Sequence, residues 1–179
     1  IAGGWPRAGP PATPSIVPRP AVACASGGPM PPAPRRQLAE GVHVVDTDQR
    51  FLGTEMGARM TRLQLDGGLL VHSPIDVDPS SVADLGDPRW ILSPNKLHHL
   101  YAGRWIGAGI EAWAAPGLPD KRPDLRVDGV IEEGVSPFGD EVEVIPLTGF
   151  SLTHEVAVLH RPSGTLIVSD LVFHITQHA

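Results

Sequence analysis

Hydrophobic positions along this chain fall into short runs separated by turn formers, a pattern that predicts strands more often than helices. The last long apolar stretch, residues 153–175, holds two such runs. Residues 155–160 and 165–169 flank Arg161-Pro162-Ser163-Gly164, which reads as a hairpin turn. Upstream, Gly41-Val42-His43-Val44-Val45-Asp46 alternates as a first strand. Residues 60–65 and 69–72 flank Asp66-Gly67-Gly68, a strong hairpin signal. Asp78-Pro79-Ser80-Ser81 opens a short helix to about Leu85, with Asp78 or Ser80 as cap, and Gly86-Asp87-Pro88 closes it. Trp90-Ile91-Leu92 is apolar throughout and predicts a buried strand that empties into Ser93-Pro94-Asn95-Lys96-Leu97-His98-His99-Leu100. A helical segment at 100–105, a strand at 109–114 and a weakly alternating strand at 141–145 follow. Residues 120–140, charged and turn-rich, read as a loop over one face and a flexible cover.

Composition divides this pattern in two. The first 36 residues carry 10 of the 20 prolines, so they predict a disordered or polyproline-like arm without chemistry, and Met30 reads as the natural start. Residues 37–179 form the globular domain. With 41% hydrophobic residues in 179, the chain has enough apolar content for one core. A net charge of −6, from 14 Lys+Arg against 20 Asp+Glu, argues against a nucleic-acid surface. The single cysteine, Cys24, excludes an internal disulfide and a cysteine-cluster zinc site; it suits a reducing compartment, so the cytoplasm is expected. No apolar run reaches the roughly 18 residues of a membrane span and no leader-like pattern opens the chain, so no membrane partner is expected.

Chemistry concentrates at two places. If His160 pairs with Thr165, the same register sets Glu155 opposite Asp170. Opposed carboxylates persist when a cation binds between them, a proton is shared or water screens them; His154 beside them favours a metal. His98 and His99 lie at a strand's C-terminal edge, where a loop lets adjacent positions serve one cavity. Either both are ligands, or one is packed and the other faces solvent. His160, roughly 17 Å along the strand from Glu155, is assigned to structure. His174, four residues past Asp170, stays within reach of it, whereas His43, His72 and His178 have no partner pattern, and His72 reads as a hydrogen-bonding core residue. Ser73 and Ser93 lie in no Gly-X-Ser-X-Gly elbow, which argues against a serine hydrolase. Gly67-Gly68 belongs to a hairpin turn and makes no phosphate loop.

The segments RMTRLQLDGGLLVHSPI, ILSPNKLHHL, AWAAPGLPDKRPDL and EVAVLHRPSGTLIVSDLVF resemble, over about residues 41–175, an uncharacterised family of the metallo-β-lactamase superfamily, catalogued as domain of unknown function 4336. The resemblance implies an α/β fold, the metallo-β-lactamase-like αββα sandwich, truncated at its C-terminus. It also implies a metal, usually zinc, that activates water for hydrolysis. Aligning the superfamily's His-X-His-X-Asp-His motif on His98-His99 puts Pro94 and Lys96 where its first two histidines stand. His154 is nearest to the histidine of the following loop, and Asp170 matches the bridging aspartate. The implied centre is one ion rather than two, zinc or another divalent transition metal, held by His98, His99, His154, Glu155 and Asp170. Asp170 and His99 would act on the water that attacks a small-molecule ester, lactone or phosphoester. The alternative is a metal-free, catalytically inactive binding or interaction module, favoured by Pro94 and Lys96. A homo-oligomer formed through an exposed sheet edge is a further expectation.

Overall fold

The computed structural model describes residues 35–51, 53–147, 149 and 153–172. Its elements in chain order are β1 (Arg35–Ala39), β2 (Val42–Thr47), β3 (Arg50–Phe51), β4 (Thr54–Glu55), β5 (Ala58–Leu65) and β6 (Gly68–His72), then a 3-10 turn (Pro79–Leu85) and β7 (Pro88–Ser93). There follow α1 (Ala102–Trp105), β8 (Glu111–Ala114), α2 (Leu118–Lys121), β9 (Gly129–Val130), β10 (Val142–Pro146), β11 (Val156–His160) and β12 (Thr165–Ile167). No helix among the described residues is long and apolar enough to cross a membrane.

Seven strands form one mixed sheet in the order β1-β2-β5-β6-β7-β8-β9, antiparallel up to β6 and parallel from there on. β10, β11 and β12 form a second, antiparallel sheet. The continuous apolar runs in β6 and β7 have a physical cause: both faces of these strands are covered. Leu70, Trp90 and Leu92 point towards Val142, Val144, Val156, Val158 and Ile167 of the second sheet. Leu69, Val71 and Ile91 point the other way, against Val82, Ala102 and Trp105. The described residues therefore stack as helix, sheet and sheet. No helix among them packs outside the second sheet as the four-layer expectation requires.

Asp78 caps the 3-10 turn, its Oδ1 accepting the Ser80 N–H at 2.9 Å. Buried Arg62 holds that turn to β5 by donating to the Val82 carbonyl at 2.6 Å and to Asp84 at 2.7 Å. The charge is buried because both acceptors meet it.

The expectation of a flexible cover at 120–140 is corrected. Ile131 and Phe138 are buried, and the Phe138 ring meets Trp90 and Trp113 edge-on at centroid distances of 5.9 and 6.2 Å. Burying a phenylalanine is worth roughly 1.5–3 kcal/mol, so this excursion is pinned to the core. Two smaller differences accompany it. β1 opens at Arg35, inside the segment that composition assigns to the arm, and α2 forms where Pro116, Gly117 and Pro119 suggest only a break. Pro119 lies in the first turn of α2, where its missing N–H costs nothing.

Candidate functional site

The end of β7 and the end of the β11–β12 hairpin meet through Asn95. This side chain is fully buried, and its Oδ1 accepts the N–H groups of Leu97 at 2.8 Å and His98 at 2.7 Å. Such a side-chain turn is what a Pro-Asn step favours after a strand. The other end of the amide donates to Asp170 Oδ2 at 2.7 Å. Backbone bonds tie the same loop to the second sheet, from Lys96 N–H to the Thr153 carbonyl at 2.9 Å and from Val156 N–H to the Pro94 carbonyl at 2.8 Å. The two sheets thus fix the height of this loop from both sides.

Within this frame His98 bridges two groups. Its Nε2 lies 3.2 Å from Asp170 Oδ1, and its Nδ1 lies 2.6 Å from Ser73 Oγ. Ser73 stands at the end of β6 with φ of 56°, an uncommon backbone for any residue but glycine, and its N–H reaches the Leu92 carbonyl at 3.0 Å. The hydrogen bond from His98 holds the Asp170 carboxyl below the ordinary aspartate range despite partial burial, with Asn95 adding to the effect. His72, buried beside this group, is pushed down to about 3 by desolvation first and by His98 second. It is the core histidine expected, hydrogen-bonded to backbone, although its Nε2 has no partner.

Glu155 departs from its expected place. Pairing of β11 with β12 keeps the anticipated His160–Thr165 register but stops at Val158–Ile167, before Glu155 and Asp170 can oppose each other. The buried Glu155 carboxylate instead accepts two backbone N–H groups, Ser169 at 2.7 Å on Oε1 and Asp170 at 2.8 Å on Oε2. It therefore sets the backbone that carries Asp170.

His154 and His99 go elsewhere. His154, at φ of 50°, donates from Nδ1 to the Pro116 carbonyl at 2.9 Å. It stands against Gly117, where a Cβ would come within 3.2 Å of His154 Nδ1 and 2.9 Å of Lys96 Cε. His99 is buried with Nδ1 unpartnered; burial lowers its pKa most, followed by the charges of Lys121 and Arg122. His43 bonds to Gln64 at 2.9 Å and His160 to Ser163 at 2.7 Å. His174 and His178 lie outside the described residues.

The donor set does not fit a zinc centre of the expected kind. Of the five residues anticipated as ligands, the structure brings the side chains of His98 and Asp170 into contact. Glu155 and His154 are committed to backbone groups, and His99 keeps company with Lys121 and Arg122. No three His, Cys, Asp or Glu side chains among the described residues group closely enough to hold an ion, whereas a catalytic zinc takes three protein ligands. Residue patterns did not point to Asn95 or Ser73 as partners of His98. The Pro94-Asn95 step after a strand carried a local signal for the first; nothing in the sequence signals the second.

No family model matches the chain, and no curated protein matches it. Solved structures do. The DIM-1 metallo-β-lactamase exposed to ceftazidime superposes with a TM-score of 0.61 at 14% identity, over 76% of this chain and 68% of that one. The metallo-β-lactamase FIM-1 from Pseudomonas aeruginosa in its mono-zinc form gives 0.57 at 11%, over 71% and 64%. A metallo-β-lactamase from Hirschia baltica gives 0.58 at 11%, over 73% and 67%. The chain spans about two thirds of the length of these proteins, and what it shares with them at such identities is the fold.

Proposed function

We propose that this metallo-β-lactamase-like domain is a hydrolase of small esters, lactones or phosphoesters, with His98 and Asp170 as its proton-handling pair. The fold shared with solved metallo-β-lactamases supports the same class. The single observation that carries the reading is the 3.2 Å contact between His98 Nε2 and Asp170 Oδ1, with Asn95 holding the carboxylate from the other side. Asp170 is anionic at neutral pH, so it accepts, and the proton on its partner stands on Nε2. That leaves Nδ1 as the accepting nitrogen of His98, its direction fixed towards Ser73 Oγ at 2.6 Å. A proton acceptor positioned this way contributes about 10² to 10⁴ in rate. The described donors do not assemble a metal centre, so no step here passes through one.

A second reading, a binding module without catalysis, is favoured by the commitment of Glu155 and His154 to backbone groups and by Pro94 and Lys96 at the positions of the motif's histidines. The two readings separate on the purified full chain. Its metal content is measured first, and hydrolysis of a p-nitrophenyl ester, an aliphatic lactone and bis-p-nitrophenyl phosphate is then followed before and after chelation and with zinc or manganese added. Turnover of at least one compound that survives chelation is the expected result. Turnover only with added metal would restore the zinc-type mechanism, and none under any condition leaves the binding module.

A further inference from the structure

We infer that Ser73 is the nucleophile of an acyl-transfer reaction at this site, with His98 as its base and Asp170 as the residue that positions the base. The inference rests on the hydrolase reading and narrows its substrates to carboxylic esters and lactones. Both ring nitrogens of His98 are engaged: Nε2 lies 3.2 Å from Asp170 Oδ1 and Nδ1 lies 2.6 Å from Ser73 Oγ, so with the proton directed at the carboxylate it is Nδ1 that faces the hydroxyl. The group from which His98 can take a proton in this geometry is the serine hydroxyl, because the place a water would need on Nδ1 is filled.

Geometry and burial agree with this role. A nucleophile within hydrogen-bond reach of a base, itself oriented by a third group, is the arrangement that activates a hydroxyl. The imidazole here is used in the reverse sense, Nδ1 to the serine and Nε2 to the acid. Ser73 is held on a sharp turn after a buried strand in a left-handed backbone, so its Oγ direction is set by the fold. The Ser73 residue is 4% exposed and the Asp170 side chain 16%, while 32% of the His98 side chain is open, so the imidazole is the part of the group that meets solvent.

In the reaction, Ser73 Oγ adds to the carbonyl carbon while its proton passes to His98 Nδ1. The carbon–oxygen bond to the leaving alcohol breaks, and that alcohol takes the proton from Nδ1. Water then adds to the acyl-serine, gives one proton to Nδ1 and releases the acid, and Ser73 Oγ recovers that proton. One water is consumed, and nothing is oxidised or reduced.

The test uses the full chain after chelation. A fluorophosphonate probe should add one mass increment per chain, mapping to Ser73, and block turnover of the p-nitrophenyl ester. Ser73→Gly, which accepts the positive φ without strain, should keep the far-UV spectrum and lose at least about a hundredfold in kcat. Asp170→Asn should lower kcat with KM held, as expected of a positioning residue. If the wild type turns over but the label maps elsewhere, or Ser73→Gly keeps kcat within a few-fold, the nucleophile is not Ser73 and the hydrolase reading stands. If the wild type neither turns over nor labels, both are overturned.

Discussion

Two neighbouring regions at the end of β7 receive consecutive histidines and treat them oppositely. On one side His98 is partly open and joined to Ser73 and Asp170, within a network that Asn95 and Glu155 extend into the backbone of the loops after β7 and β12. On the other side His99 is buried, with one nitrogen unpartnered and two cations, Lys121 and Arg122, disfavouring its charged form. Adjacent residues leave a loop in different directions, so equal residue type brings no equality of role. A histidine pair in a sequence is thus one candidate and one neighbour until the surrounding polar groups are known.

The contrast can be broken first at Asn95. Asn95→Ala strands two backbone N–H groups and one carboxylate oxygen, and should cost about 3–5 kcal/mol of unfolding free energy by urea titration. A cost below about 1 kcal/mol would mean that the His98 side holds its shape without this amide.

Acid should act next. The folded pKa of His72 lies near 3 against an ordinary 6.5, so the unfolded chain binds the extra proton between those values. Its contribution is complete above pH 6.5 and is lost as pH falls towards 3. Between pH 7 and 4.5 the loss should be about 2.5 kcal/mol, and His72→Leu should remove most of that slope. Asp170, whose folded pKa is depressed, adds stability above the ordinary aspartate value and loses it only below, in a lower window. A variant as acid-sensitive as the parent would move the titration to another group.

Glu155→Gln should cost about 2 kcal/mol, because one of the Ser169 and Asp170 N–H groups loses its acceptor, and ester turnover should fall with the displaced Asp170. The smallest effect belongs to the other side: His99→Leu should stay within about 1 kcal/mol in the same titration. A loss as large as that of Asn95→Ala would erase the difference between the two regions.

Local signals carried much of the fold. Asp66-Gly67-Gly68 marks the β5–β6 hairpin, Asp78 caps its turn, and Arg161-Pro162-Ser163-Gly164 sets His160 against Thr165. Extrapolating that last register to Glu155 failed because the ladder ends at Ile167, and a buried carboxylate gains more from two orphan N–H groups than from facing another carboxylate. The charged stretch 120–140 hid Ile131 and Phe138, whose burial follows from tertiary contacts with Trp90 and Trp113. Ser73 is separated from His98 by 25 positions, and its left-handed backbone is imposed by packing, so neither was visible as a pattern.

Gly117 has a use in recognising other chains of this kind. At φ of 74°, a backbone that favours glycine, it is where the loop after β7, the start of α2 and the entry to β11 come together, and a Cβ there would lie 2.9 Å from the flexible end of Lys96 and 3.2 Å from His154 Nδ1. A sequence that keeps Ser73, Asn95, His98 and Asp170 but carries a larger residue here must have rebuilt that junction. Glycine at this corner is therefore a better filter for sequences sharing the arrangement than the two histidines are, because a His-His step recurs by chance, whereas a left-handed backbone strains any residue with a Cβ.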